Sequence, residues 1–346
     1  MPKLLLLLIV LLNFSCSKTE DNEPLRTDVD LIDEDKFVRK ASLIDQEISF
    51  KIVTEEGEDV TDIATFYVDG EQVLGSSFSS SAIGEFEVYG VYIQDGFEVT
   101  TAIETFSVIV PKRKVVIEDY TGTWCGFCPR VTAALASVAQ ETDDITVVAI
   151  HETANSFPDP MHFNQVQVLK DAFGVEGFPA ARINRTNNWA TPHNNSDVTT
   201  IAGADTNLAI AINSELNGSE LLVQVNVVYE DGSQEGDKLV AYLVENDIIY
   251  DQVNYYNQDT SSPYYSLGDP IPDFEHNEVL RENLSALLGD PIPSTPALTE
   301  YVTSFTTTIP SDYNVNNLDI IVMVVNDENE AKNSQHAHIM EDKSYE

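Results

Sequence analysis

Cys125 and Cys128, in the run Trp124-Cys125-Gly126-Phe127-Cys128-Pro129, are two of only three cysteines in the chain. Two thiols separated by two residues can exchange a disulfide with another thiol pair, or supply half of a tetrahedral metal site. The metal reading needs a second ligand pair. The third cysteine, Cys16, belongs to a separate N-terminal pattern, and the six histidines are scattered. The spacing therefore favours thiol–disulfide exchange, with no metal and no other cofactor expected. The attacking species in such exchange is a thiolate, and free cysteine is mostly protonated at neutral pH. A cysteine at a helix N-terminus meets unpaired backbone N–H groups and the positive end of the helix dipole, which stabilise its thiolate. Cys125 is accordingly the expected nucleophile. Cys128, brought round the first turn, is the expected buried resolving thiol, and Pro129 suits a position where its missing N–H costs nothing. The other reading is a stable disulfide that only pins the helix start.

Such a pair needs a strand before it and a helix after it. Val115-Val116-Ile117 is an apolar strand immediately upstream. Arg130 to Gln140 places Val131, Ala134, Leu135 and Val138 on one helical face. Ile145 to Ile150 is a second, nearly all-apolar strand, as expected for one covered on both faces. Strand, helix and strand over this length predict a right-handed βαβ unit. A second helix is expected over His162 to Phe173, ended by Gly174, and Gly177-Phe178-Pro179 then leads into a strand over Ala180 to Asn184.

This order, with Trp-Cys-x-x-Cys at a helix start and Gly-x-Pro before the last strand, resembles the thioredoxin fold. The resemblance implies that Pro179 is a cis-proline lying against the dithiol. It also implies that Asp119 matches the family's buried acid, which helps move the resolving thiol's proton. Strand alternation puts Asp119 on the inward face with Ile117 and Glu118 on the other, although a one-residue slip exchanges them. A plain surface acid is the alternative. Trp124 is expected to shield the dithiol and offer a flat contact surface, or else simply to pack. Phe178 is expected to line the substrate groove, where thioredoxins carry Thr or Ile. Gly126-Phe127 differs from the Gly-Pro of reducing thioredoxins and the Pro-His of strong oxidants, so the direction of transfer is open. The loop from His151 to His162 stands where a thioredoxin passes straight from strand to helix; it is placed to wall the cleft, with His151 either tuning a thiol or serving only as a loop residue.

A longer match is more specific. Glu118-Asp119-Tyr120-Thr121-Gly122-Thr123-Trp124-Cys125-Gly126 is very similar to the start of the thioredoxin-like block in a family of Gram-negative outer-membrane lipoproteins, named for a twenty-eight-kilodalton outer membrane protein. His276-Asn277-Glu278-Val279-Leu280-Arg281 resembles a segment in that family's C-terminal part. Membership implies an outer-membrane location and a thioredoxin-like core over roughly Val115 to the C-terminus.

The start of the chain fits that location. Lys3, the apolar run Leu4 to Leu12, and Ser15 before Cys16 read as a secretory signal over 1–15 that resembles a lipoprotein signal peptide, although Asn13 and Phe14 replace the usual Leu and small residue; the alternative is an ordinary cleaved signal that happens to contain a Cys. Cys16 is the expected lipidation site and membrane anchor. An acidic tether follows over 16–41 and resembles a surface-export signal. Residues 42–110 contain short strands and the turn Asp69-Gly70, and read as an immunoglobulin-like β-sandwich. Residues 111–205 are the α/β thioredoxin-like domain. Residues 206–346 read as a C-terminal β-sandwich with a hairpin at Asn217-Gly218 and a long loop carrying Tyr255, Tyr256, Tyr264 and Tyr265. That loop offers either a binding face or packing onto its own sheet.

Asp plus Glu total 58 against 18 Lys plus Arg, a net charge of −40. Such a surface argues against nucleic acid or anionic headgroups as direct ligands and fits a solvated protein outside the cytoplasm. Two functional classes remain. One is an envelope-anchored thiol–disulfide oxidoreductase whose partners are protein thiols or disulfides of the cell envelope. The other is a surface binding or adhesion lipoprotein that uses the thioredoxin fold as scaffold.

Overall fold

The computed structural model describes residues 29–31, 40–154 and 157–346. The signal segment and Cys16 lie outside these described residues. The protein is mostly β and multi-sheeted, with a thioredoxin-like mixed region at its centre.

That region is built on the strand Val115–Thr121, buried along its whole length. It pairs in parallel with Ile145–His151 and antiparallel with Ala180–Ile183, which in turn pairs with Asn187–Asn188. The parallel pair requires a crossover, and the helix Pro129–Val138 supplies it. Val131 and Val138 of this helix pack with Val115, Ile117, Ala181 and Ile183 on one face of the sheet. The helix Val166–Phe173 covers the opposite face, with Leu169 and Phe173 against Val116, Tyr120, Val148 and Ile150. It ends at Gly174, whose φ of +61° lets its N–H reach the Lys170 carbonyl. It also begins later than the expected His162, because the Phe163 N–H donates to the His151 carbonyl (2.9 Å) and holds the chain to the strand end.

The sheet does not stop at the expected 205/206 boundary. Beyond Ile145–His151 it continues through Val279–Asn283, Lys238–Glu245, Leu318–Val325 and Ala331–His338. The join is the pairing of Ala149 with Val279. Val279–Asn283 has only two apolar residues before a polar run, so periodicity does not reveal it. A second layer, formed by Leu208–Asn217, Glu220–Tyr229 and Glu300–Thr308, faces the Lys238–Glu245 and Leu318–Val325 strands. The C-terminal half thus has two β layers, and one of them is an extension of the thioredoxin-like sheet.

Before residue 111, a sheet of Ala41–Leu43, Glu104–Ile109, Gly84–Gln94, Thr65–Val68 and Glu71–Gln72 faces Val29–Leu31, Ile48–Ile52 and Ser77–Phe78. Phe50, Phe66 and Phe106 fill the space between them. Val29–Leu31 falls within the stretch expected as tether; it pairs antiparallel with Phe50–Ile52 and so extends this region's sheet.

Candidate active site

Cys125 and Cys128 form a disulfide with a Cα–Cα distance of 5.4 Å. The Gly122–Cys128 turn leads directly into the helix: the Cys125 N–H donates to the Gly122 carbonyl, the Cys128 N–H to that of Cys125, and Pro129 is the first helical residue. Both cysteines are buried, Cys125 at 5% exposure and Cys128 at 1%.

Two further segments fix this turn. The first is the loop after Ile145–His151. The Asp159 carboxylate accepts from the Thr123 N–H (2.8 Å), from the Met161 N–H (2.8 Å) and from His151 Nδ1 (3.0 Å). These donors hold the Asp159 carboxyl below its ordinary range despite burial, which pushes the other way. His151 therefore braces the turn through Asp159. Trp124 donates its indole N–H to the Glu152 carbonyl (2.7 Å) in the same loop.

The second segment comes from the C-terminal half. Gln252 donates to the Cys125 carbonyl (3.0 Å), the Val253 N–H to Thr123 (2.9 Å) and the Tyr255 N–H to Gly126 (2.9 Å). The Tyr255 ring lies so close to Gly126 that a Cβ there would overlap it. Glycine is required at this point because the strap occupies the space a side chain would take. Phe127, half exposed, meets Tyr255 edge-on at 5.0 Å and Tyr256 at 6.0 Å. The tyrosine-rich loop thus packs on the dithiol turn, a placement that neither sequence option contained.

The Phe178–Pro179 bond is cis. Phe178 lies 5.7 Å from the Trp124 ring, so these two residues form one aromatic wall beside the turn. Lys170 stands 5.3 Å from the Phe178 centroid and pairs with Glu152 at 2.8 Å.

Asp119 is 3% exposed, and its Oδ1 has no hydrogen-bond partner among the described residues. Burial, and then nearby Glu278, push its carboxyl up to about 8. It lines a cavity of about 220 Å³ together with Thr132, Leu135, Gln252, His276 and Glu278. Burial and the neighbouring His151 hold His276 down at about 4, so it is neutral at physiological pH. Glu118, on the opposite face, is bonded to Arg185 Nε at 3.0 Å and to the Tyr120 hydroxyl at 2.9 Å. Asp159, Gln252, Tyr255 and Glu278 were not expected here from sequence; the Pro158-Asp159-Pro160 pattern marked a loop but not its contact with Thr123.

A buried CxxC disulfide at a helix start on a thioredoxin-like sheet, with a cis Phe178–Pro179 bond leading into the strand Ala180–Ile183, defines the class of this site. The thioredoxin family model matches residues 98–203. The model described as outer membrane protein Omp28 matches residues 166–343, just over half of the chain, and the protein belongs to that family. The solved structure described as HBP35 of Porphyromonas gingivalis is similar in fold. It shares 17% identity and a TM-score of 0.51, over 67% of this chain and 77% of the other. Fibronectin(III)-like modules of Clostridium thermocellum CbhA align over 90% of each chain, but at 7% identity and a TM-score of 0.24 they carry no argument. No curated protein matches the chain.

Proposed function

We propose that this Omp28-family protein is an envelope-anchored thiol–disulfide oxidoreductase working through Cys125 and Cys128. The observation that carries this reading is the pairing of the two thiols at the start of Pro129–Val138, with a buried acid, Asp119, on the preceding strand whose Oδ1 has no partner among the described residues. In the oxidising direction, a thiolate of a protein dithiol attacks Cys125 Sγ. The Cys125–Cys128 bond breaks, and its electron pair leaves on Cys128, which takes up a proton. The second substrate thiolate then attacks the substrate sulfur of the mixed disulfide and releases Cys125 as thiolate. The substrate gains a disulfide, and the protein holds two electrons as a dithiol. The reducing direction is the same sequence reversed. Asp119 is the group that gives and takes the Cys128 proton, while Trp124, Phe178 and Pro179 form the surface the substrate chain lies against. Cys16 carries the lipid that anchors the protein to the outer membrane, with the N-terminal sheets as an immunoglobulin-like spacer.

Replacing Cys128 with Ser tests this directly. The variant should accumulate mixed disulfides between Cys125 and envelope proteins, visible as reducible adducts; none forming would count decisively against catalysis. A reduction potential between roughly −270 and −120 mV belongs with catalytic pairs, and one below about −300 mV with structural disulfides. One observation favours the second reading, a binding lipoprotein with a locked disulfide: the Gln252–Tyr255 strap is bonded to the turn and leaves Cys125 at 5% exposure. The potential separates the two.

A further inference from the structure

Asp119 does not stand alone in its cavity. Along the sheet it pairs with Ala149, and Ala149 pairs with Val279 on the far side. The residue before Val279 is Glu278, so the backbones of two acidic residues flank one alanine. Glu278 is held there by its backbone: its carbonyl accepts the Ala149 N–H (2.8 Å), its N–H donates to Asn246 (2.8 Å), and its φ of +52° is a left-handed turn. Both residues line the same 220 Å³ cavity, whose other titratable residues are His151, Glu275 and His276. An adjoining cavity on the same side adds Asp143, Asp319 and His336 around Glu278. Neither lining includes a lysine or arginine among the described residues.

We propose that Glu278, supplied by the C-terminal half of the chain, is a positioning residue for the proton of Asp119, and that its charge decides whether Asp119 holds or releases that proton. Two acids sharing one enclosure with no cation cannot both ionise freely, and they titrate as a pair. Burial first, then Asp319 and Glu275, raise Glu278 to about 7, below the value of about 8 for Asp119. Charge on Glu278 therefore opposes ionisation of Asp119. Near neutral pH, Asp119 keeps a proton ready for Cys128 when the disulfide opens in the oxidising direction. Asp119 is left as carboxylate and is reprotonated through the cavity. This last part rests on the oxidoreductase reading; the coupling of the two acids does not.

The test uses the full chain in its disulfide form, following the carboxyl stretch of Asp119 by infrared difference spectroscopy across pH, with Asp119→Asn to assign the band. Glu278→Gln should move the Asp119 midpoint down by about half a pH unit or more, the size expected of one partly shielded like charge. Glu278→Asp, which keeps the charge, should leave it raised. An unmoved midpoint in Glu278→Gln overturns the proposal. Should that variant fail to fold, Glu278→Asn serves instead, because asparagine tolerates the left-handed backbone there: its Asp119 midpoint should fall likewise, and an unmoved one overturns the coupling. The second arm is the pH–rate profile for oxidation of reduced, unfolded ribonuclease A. Under the proposal its limb moves with the Asp119 midpoint; a shifted midpoint with an unshifted profile overturns the Cys128 role. A wild type inactive at every pH sinks the oxidoreductase reading while the infrared arm still decides the coupling.

Discussion

Glu118 and Asp119 are consecutive acids on the same fully buried strand, and they face opposite sides of the sheet. Glu118 is satisfied from both oxygens, by Arg185 and by Tyr120, and Arg185 also donates to the Tyr242 hydroxyl at 3.0 Å. Its guanidinium lies 4.6 Å from the Phe173 centroid, which leaves the group fully enclosed. Among the described residues, Asp119 has an oxygen without a partner, no cation in its cavity, and a second acidic residue lining it. One face holds a charge-compensated network, in which only Arg185 Nη1 lacks a partner among the described residues, and the other an acid kept neutral. Burial alone does not mark an acid as functional; what distinguishes Asp119 is that nothing compensates its charge.

Breaking the closed face should have the largest effect. Glu118→Gln leaves Arg185 buried without its counter-charge and should cost about 3–5 kcal/mol in denaturant unfolding. Asp119→Asn should have the opposite sign. The native state holds this proton up to about pH 8, whereas an unfolded aspartate releases it near pH 4, so the native state binds more protons between those values and loses stability as pH rises through them. The variant should therefore gain about 2–4 kcal/mol at pH 7, little at pH 4, and lose exchange rate. A variant no more stable than wild type would show that Asp119 is not held neutral.

The strap gives the next effect. Gly126→Ala drives a methyl into the Tyr255 ring and should cost about 1–3 kcal/mol while speeding alkylation of Cys125 in the reduced protein. Tyr255→Ala in the same chain should restore most of the loss; an undiminished penalty would place the strain elsewhere. Lys170→Met sets the lower bound. Its partner Glu152 is 18% exposed and the pair sits at the margin of the site, so a change of no more than about 1 kcal/mol is expected by double-mutant cycle.

The strands and helices around the dithiol were legible because each carries its own period or punctuation. The nearly all-apolar Ile145–Ile150 run, the helix ended by Gly174 and the Asn217-Gly218 hairpin are local signals. Val279–Asn283 was not legible, although it joins the two halves of the sheet, because two apolar residues followed by Arg-Glu-Asn have no period to read. The same holds for the strap. Tyr255 is merely one aromatic of a polar loop until its backbone is seen bonded to Gly126.

The sequence alone determined the thiol pair, the helix that follows it, the proline of the Phe178–Pro179 bond and the acid on the preceding strand, since all lie within one βαβ-type stretch where spacing fixes relative position. Only the tertiary structure decided which acid is compensated, what covers the dithiol, and which distant carboxyl stands beside Asp119. Those depend on pairings such as Ala149 with Val279, between segments far apart in the chain, and a charge's environment is set by neighbours in space rather than by neighbours in sequence.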